Sequence, residues 1–335
     1  MARRDRTTGL PRPRQRSAAK QQSRFSLNEG QQLRAVWAVG GLLIAVLVGV
    51  LGYQWFEGQF IHPNKTVLTV GEEKYSLKYY TDRLFLSAQT NTGTGTNVSI
   101  LEQTLFTELE DEAIAKILAE EKGITVSEEE ITAEVAAQLG VPQGGAGSTF
   151  DTLYRQRLET VKMSDGAYRR YTEAQVYISK LQDKLAEEIG NTGETVTLRS
   201  VVLATKEEAD AVLARVQAGE NLGTVAQTAS TDVSSKQNDG LMEATPTRLL
   251  PDAVRTAIEG KSAGSDLIGP LEVAGSFWVF RIEKRDPQGV YTETQKGQLT
   301  DLALQDAIAA KRPQVKITTD MDSRDYEWAN EHAGD

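Results

Sequence analysis

The chain has 335 residues, enough for two or three domains, and contains no cysteine and two histidines, His62 and His332. That scarcity excludes a disulfide framework, a Cys nucleophile and a Cys/His zinc site, and a Ser-His-Asp triad would have to draw on one of those two histidines. The net charge of −10 conceals a split: residues 1–34 are +7, whereas residues 57–335 are −17, and so acidic a body argues against nucleic acid as a partner.

Residues 35–56, AVWAVGGLLIAVLVGVLGYQWF, carry no charge over 22 positions, which as a helix covers about 30 Å of hydrocarbon. With Trp37, Tyr53, Trp55 and Phe56 near its ends, the run reads as one transmembrane helix, longer than the core of a cleaved signal peptide. The basic residues before it place the 1–34 tail in the cytoplasm and 57–335 outside. Small residues Ala38, Gly41, Ala45, Gly49 and Gly52 recur three and four apart, a pattern compatible with a weak homodimer.

After a linker at His62-Pro63-Asn64, TVLTVGEEKYSL predicts a β-hairpin turning at Gly71, then a helix through Tyr79, Leu84 and Leu86. A Gly/Thr/Asn stretch at 91–97 breaks it. Ile100, Leu101, Leu105, Leu109, Ala113, Ile117 and Leu118 form the stripe of an amphipathic helix that stops at Gly123. Ser127 and Glu130 make a capping box for a helix through Leu139, and further helices are predicted at 150–162 and 164–189.

From 194 the texture alternates. TVTLRSVVLA predicts a strand; EEADAVLARVQAG predicts a helix stopping at Gly219. A short helix at 221–229, a polar loop at 230–247, a helix at 251–259 and the strands DLIGPLEV and GSFWVFRIEKR complete an α+β unit. Residues 291–311 return to helix, and the chain from Asp320 reads as polar and loose. The acidic clusters at Glu128-Glu129-Glu130 and Glu108 to Glu112 read as solvated charge, so neither metal nor cofactor is expected; the triplets Asn64-Lys65-Thr66 and Asn97-Val98-Ser99 match glycosylation sequons.

The order of pieces in 194–287 resembles the parvulin (PpiC, rotamase) peptidyl-prolyl isomerase domain: the VVLA strand, the EEA helix, AGEN, Ser230-x-Asp232, Pro251-Asp252, Gly264, Gly269-Pro270-Leu271, and an aromatic strand ending EKR. The hairpin and helix at 66–86, with GITVSEEEI at 123–131, resemble the N-terminal chaperone domain of SurA/PrsA/PpiD-type folding factors. The resemblance implies an α+β chain: a basic tail at 1–34, a transmembrane helix at 35–56, a SurA-N-like helical chaperone domain at 57–193, an inserted parvulin-like domain at 194–287, and a C-terminal helix and polar tail at 288–335 returning to the chaperone domain.

Catalysis of X-Pro rotation, against a barrier of about 18–20 kcal/mol, needs an apolar slot and polar groups that favour the twisted amide. Carried over residue by residue, the family's first-strand His falls on Val201 and its last-strand His on Trp278. Its loop Asp or Cys falls on Gly240 with Asp239 adjacent; Leu241 matches a loop leucine, Leu249 keeps the Met/Leu of the proline slot, and Ala253 replaces its Phe. No histidine lies in 194–287. The resemblance therefore implies a folding factor with weak or lost isomerase activity. It would bind unfolded or nascent secreted polypeptides through Leu241, Leu249, Phe277 and Trp278, beside an apolar cradle of the N-terminal helices and 291–311, with Asp239 the one catalytic candidate and the secretion machinery a further partner. The alternatives are an active isomerase with an altered site and an envelope scaffold.

Overall fold

The computed structural model describes residues 29–90, 98–264 and 266–334 and divides into two units, 1–62 and 63–335. The first 28 residues of the basic tail, the expected break at 91–97 and the sequon residue Asn97 lie outside the described residues.

In the first unit, α1 (Glu29–Phe56) runs without interruption into a π-helical turn at Glu57–Ile61. Its 28 residues rise about 42 Å. Leu42, Leu43, Ile44, Val46, Leu47, Val48, Val50 and Leu51 are all more than half exposed, and the ring of Phe56 stacks on Phe60 at 5.2 Å. Among the described residues no helix is long and apolar enough to cross a membrane; the side chains at 35, 36, 38, 39, 54 and 55 of the expected span lie outside them.

The second unit opens with β1 (Thr66–Val70) and β2 (Glu73–Ser76), paired antiparallel around Gly71, whose φ of +61° suits the turn. Helices α2 (Leu77–Thr90), α3 (Val98–Glu121), α4 (Glu128–Gln138), α5 (Thr149–Val161) and α6 (Asp165–Ile189) follow. Their starts are written in the sequence. The Ser127–Glu130 capping box opens α4, and the side chains of Ser148 and Ser164 accept the first free N–H groups of α5 and α6. The predicted stripe of α3 buries Leu105, Leu109 and Ala113 against Leu77, Tyr80 and Tyr168, while Ile100 at its start stays 59% exposed.

The α+β domain starts two residues before the predicted boundary. Strand β3 (Thr192–Leu203) pairs with β6 (Ser276–Val290), and Thr192–Val290 and Gly193–Gly289 extend that ladder beyond 194 and 287. Between them come α7 (Lys206–Gln217), α8 (Leu222–Ala229), α9 (Val233–Lys236), β4 (Thr245–Pro246), α10 (Asp252–Ile258) and β5 (Ile268–Val273). The antiparallel sheet has the order β4-β3-β6-β5, with one core under α10 and another under α7 and α8. The expected loop at 230–247 is more ordered than its polarity implies. Asp232 caps α9, and the main chain of Ser200 and Leu198 holds Gly240 and Met242 at 2.8 Å.

Helix α11 (Glu293–Lys311) returns to the helical domain, where Ala303, Leu304 and Ile308 pack with Ile178 and Leu181 of α6. The chain beyond Asp320 is not loose. Strand β7 (Ile317–Thr319) adds to β1, and α12 (Ser323–His332), opened by an Asp322–Asp325 capping box, buries Asp325 and Ala329 and lays Trp328 on the core. Its inward residues sit three and four apart in an otherwise polar run, which is enough for one buried stripe and too little to mark the composition as apolar.

Candidate functional site

The geometry of the site follows from one register. Val201 lies opposite Val279, Val202 opposite Trp278, and Leu203 opposite Phe277. Side chains alternate faces along a strand, so Val201, Leu203, Phe277 and Val279 share the face under α7 and α8, and Val201 is fully buried there. Val202 and Trp278 share the other face. Trp278 packs there beside Met242, Ala253 and Leu271, the last its partner on β5, all half-buried along the edge of the core under α10.

Two groups acting on one amide must share a face. The expected places of the histidine pair, Val201 and Trp278, lie on opposite faces, and the register makes Val202 the cross-strand companion of Trp278. Phe277 is likewise separated from Trp278. A β-bulge between Thr197 and Leu198 shifts the ladder just ahead of this point, which no count along the sequence reveals.

The loop after α8 is fastened to Val202. Thr231 N–H donates to the Val202 carbonyl at 2.7 Å, and Val202 N–H donates to Ser230 Oγ at 3.1 Å. Asp232 Oδ1 accepts from the amide and hydroxyl of Ser234 at 3.2 and 2.7 Å, and Oδ2 accepts from the amide of Ser235 at 3.2 Å. Burial pushes the Asp232 carboxyl up, but the hydrogen bonds from Ser235 and Ser234 outweigh it and hold the group below the ordinary carboxylate value. Asp232 is therefore an ionised acceptor whose own amide donates to Ser230 Oγ at 3.3 Å, the hydroxyl that also accepts from Val202 N–H. Its sequence signal is Asp232-Val233-Ser234-Ser235, an N-cap pattern with serines two and three residues on.

The other expected residues are spread out. Gly240 has φ +73°, and a Cβ there would lie 2.5 Å from the Ser200 carbonyl oxygen, so this place cannot carry an acidic side chain. Asp239 beside it is exposed; its carbonyl accepts from Arg199 Nη1 at 2.7 Å and its carboxylate from Gln227. Leu241 bridges Arg199 at the sheet edge. Leu249, in a 3-10 turn, lines a cleft of about 730 Å³ with Pro251 and Leu302. In the helical domain the apolar stripes of α2, α3, α6 and α11 are spent against one another, and among the described residues of its helices Ile100 is the large apolar side chain left exposed. The apolar cradle expected there is not an open surface. Among the described residues no group of three acidic or histidine side chains is placed to hold a metal ion.

The family described as SurA-like N-terminal domain matches residues 26–182, and the family described as PPIC-type PPIase domain matches residues 201–284. The chain thus has the domain pair of the SurA/PrsA-type folding factors, a SurA-like N-terminal domain followed by a parvulin domain. Among solved structures it is similar to the peptidylprolyl isomerase PrsA from Bacillus anthracis, with 10% identity over 68% of this chain and 94% of that one and a TM-score of 0.39. It is similar to PrsA from Bacillus subtilis, with 17% identity over 75% and 91% of the two chains and a TM-score of 0.26. A SurA-like chaperone structure from Campylobacter jejuni matches at 13% identity over 57% and 92%, with a TM-score of 0.27. No curated protein matches the chain.

Proposed function

We propose that this folding factor is anchored in the membrane by residues 35–56, works on the extracytoplasmic side, and grips unfolded secreted polypeptides on the Val202–Trp278 face with little or no isomerase activity. One observation carries the reading: the two cross-strand neighbours that would present a histidine pair to a prolyl peptide are Val202 and Trp278. An apolar valine and an indole can hold a proline ring and exclude water. They supply no imidazole to the twisted amide.

The anchor is supported by the uncharged 22-residue run and by the contrast between the +7 tail and the −17 body. A working isomerase with an altered site is the second reading, favoured by the ionised Asp232 in the loop whose Ser230 and Thr231 bond Val202. Two measurements on the full chain in detergent separate them. In the first, the chain at stoichiometric amounts suppresses aggregation of an unfolded client, and W278A weakens that suppression. In the second, refolding limited by proline isomerisation is not accelerated. Acceleration matching an ordinary parvulin, abolished by D232N, would establish the second reading instead.

A further inference from the structure

The face that carries Val202 and Trp278 holds one hydroxyl with nothing to bond. Alternation along β3 puts Leu198, Ser200 and Val202 on that face, and their partners across the ladder put Ile282, Phe280 and Trp278 there. Ser200 is fully buried, and its Oγ has no hydrogen-bond partner within the protein. Its main chain is tied elsewhere, the N–H donating to the Gly240 carbonyl at 2.8 Å. The polar side chains of the adjoining loop are spent on main-chain amides: Ser230 Oγ accepts from Val202 and Asp232, and Asp232 accepts from Ser234 and Ser235. A hydroxyl left unpaired among apolar neighbours costs stability, and an alanine in its place would not. Such an orphan points to a partner that arrives from outside the chain.

What that partner offers follows from peptide chemistry. The carbonyl and N–H of a trans peptide point in opposite directions, so one hydroxyl on an apolar face can satisfy only one of them. An ordinary residue laid on this face would bury the other group unpaired. An X-Pro bond has a carbonyl and no N–H. A single donor satisfies it completely, and the ring of the proline needs only apolar surface, which Trp278 and Leu271 supply.

We infer that Ser200 Oγ donates to the carbonyl preceding a client proline and thereby makes the Val202–Trp278 face selective for X-Pro over other peptide bonds, whether or not that bond is isomerised. The inference rests on the gripping role proposed above. Ser200 is closed off from water in the free chain. The peptide therefore reaches it by moving a half-buried side chain of the same face, Trp278 or Met242, a rotamer change of the kind that interfaces commonly make.

The test uses the full chain in detergent and two short fluorescein-labelled peptides, one with a central Ala-Pro bond and one with Ala-Ala in its place, with binding read by anisotropy. The parent binds the prolyl peptide more tightly. S200A weakens that peptide by about three- to tenfold, the worth of one hydrogen bond between neutral groups, and leaves the Ala-Ala peptide unchanged. S200C fills much the same space with a weak donor and loses nearly as much, which separates the hydrogen bond from packing. Urea unfolding gives the second readout: the S200A midpoint equals or exceeds that of the parent, whereas loss of a hydroxyl satisfied inside the fold would lower it. Equal affinity of the parent for the two peptides, an S200A affinity unchanged from the parent, or a fall in the S200A midpoint overturns the inference. Suppression of client aggregation by the parent is measured alongside. Where suppression persists, the gripping role stands without Ser200; where it is absent, that role falls with the inference.

Discussion

Val202 and Trp278 face each other across β3 and β6, while Val201, one residue earlier, is sealed in the opposite core. A one-residue step along a strand changes everything about a substitution. V201H would place an imidazole with no partner among Leu203, Ala209, Val225 and Val279, at a cost of about 2–3 kcal/mol. V202H points to a half-buried edge beside the Ser230–Asp232 loop and costs under about 1 kcal/mol. Urea unfolding of the two variants checks the order, and the opposite ranking would show that the register is wrong.

How far the sequence spoke for the structure depended on whether its signals were local. Capping boxes, helix stripes and the turn at Gly71 need only neighbours within a few residues, and Ser127–Glu130, α3 and the β1–β2 hairpin all form where those signals stand. Which face Val201 takes is a property of two strands and a bulge between Thr197 and Leu198. The C-terminal strap escaped for a related reason: β7 gains its partner from β1, nearly 250 positions away, and Asp325 gains Lys65.

The helical domain is locked by a buried ion pair. Arg83 on α2 donates from Nη1 and Nη2 to the two carboxylate oxygens of Glu112 on α3 at 2.8 and 2.9 Å, and its guanidinium lies 4.6 Å from the centre of the Tyr171 ring on α6. Both side chains are more than nine-tenths buried. Removing one partner strands the other, so E112A is expected to cost about 3–5 kcal/mol. The apolar pair R83M/E112L is expected to recover most of that loss, because it removes both charges together. A double-mutant cycle by chemical denaturation tests the coupling; additive losses would mean that the two residues do not act as a pair.

Glu283 links stability of the site loop to pH. Its Oε1 accepts from Arg199 Nε at 2.8 Å and from Arg281 Nη2 at 3.0 Å. Burial pushes its carboxyl up, but those two arginines outweigh it and hold it below the ordinary 4.5. A depressed acid stabilises the fold above its unfolded value and loses that contribution as pH falls through the folded one. E283Q is therefore less stable than the parent at neutral pH, and the difference closes as pH falls below 4.5. Arg199 also holds the Asp239 carbonyl, so amide exchange at Gly240 and Leu241 speeds up in E283Q at neutral pH. A gap between the two stability curves that is unchanged across the acid range would remove Glu283 from this role.

The C-terminal strap makes the last test, because a loose tail and a docked strap predict different things. Strand β7 covers the free edge of β1, whose Val67 and Leu68 are fully buried, and α12 seats Ala329 in the same core. Lys65, just before β1, donates to the almost fully buried Asp325 at 2.6 Å and lies 3.6 Å from Asp320; the Asp325 hydrogen bond above all raises its affinity for a proton. Deleting 315–335 would uncover that edge and leave the core half-open, so the helical domain should melt well below its parent temperature. The parvulin domain has separate cores at 196–282 and should keep its own transition, splitting one unfolding event into two. D325A, which removes the N3 half of the α12 capping box and the buried partner of Lys65, is the milder version and is expected to cost about 1–2 kcal/mol. Calorimetry of the deletion decides: transitions identical to those of the parent would mean that residues 315–335 add nothing to the helical domain.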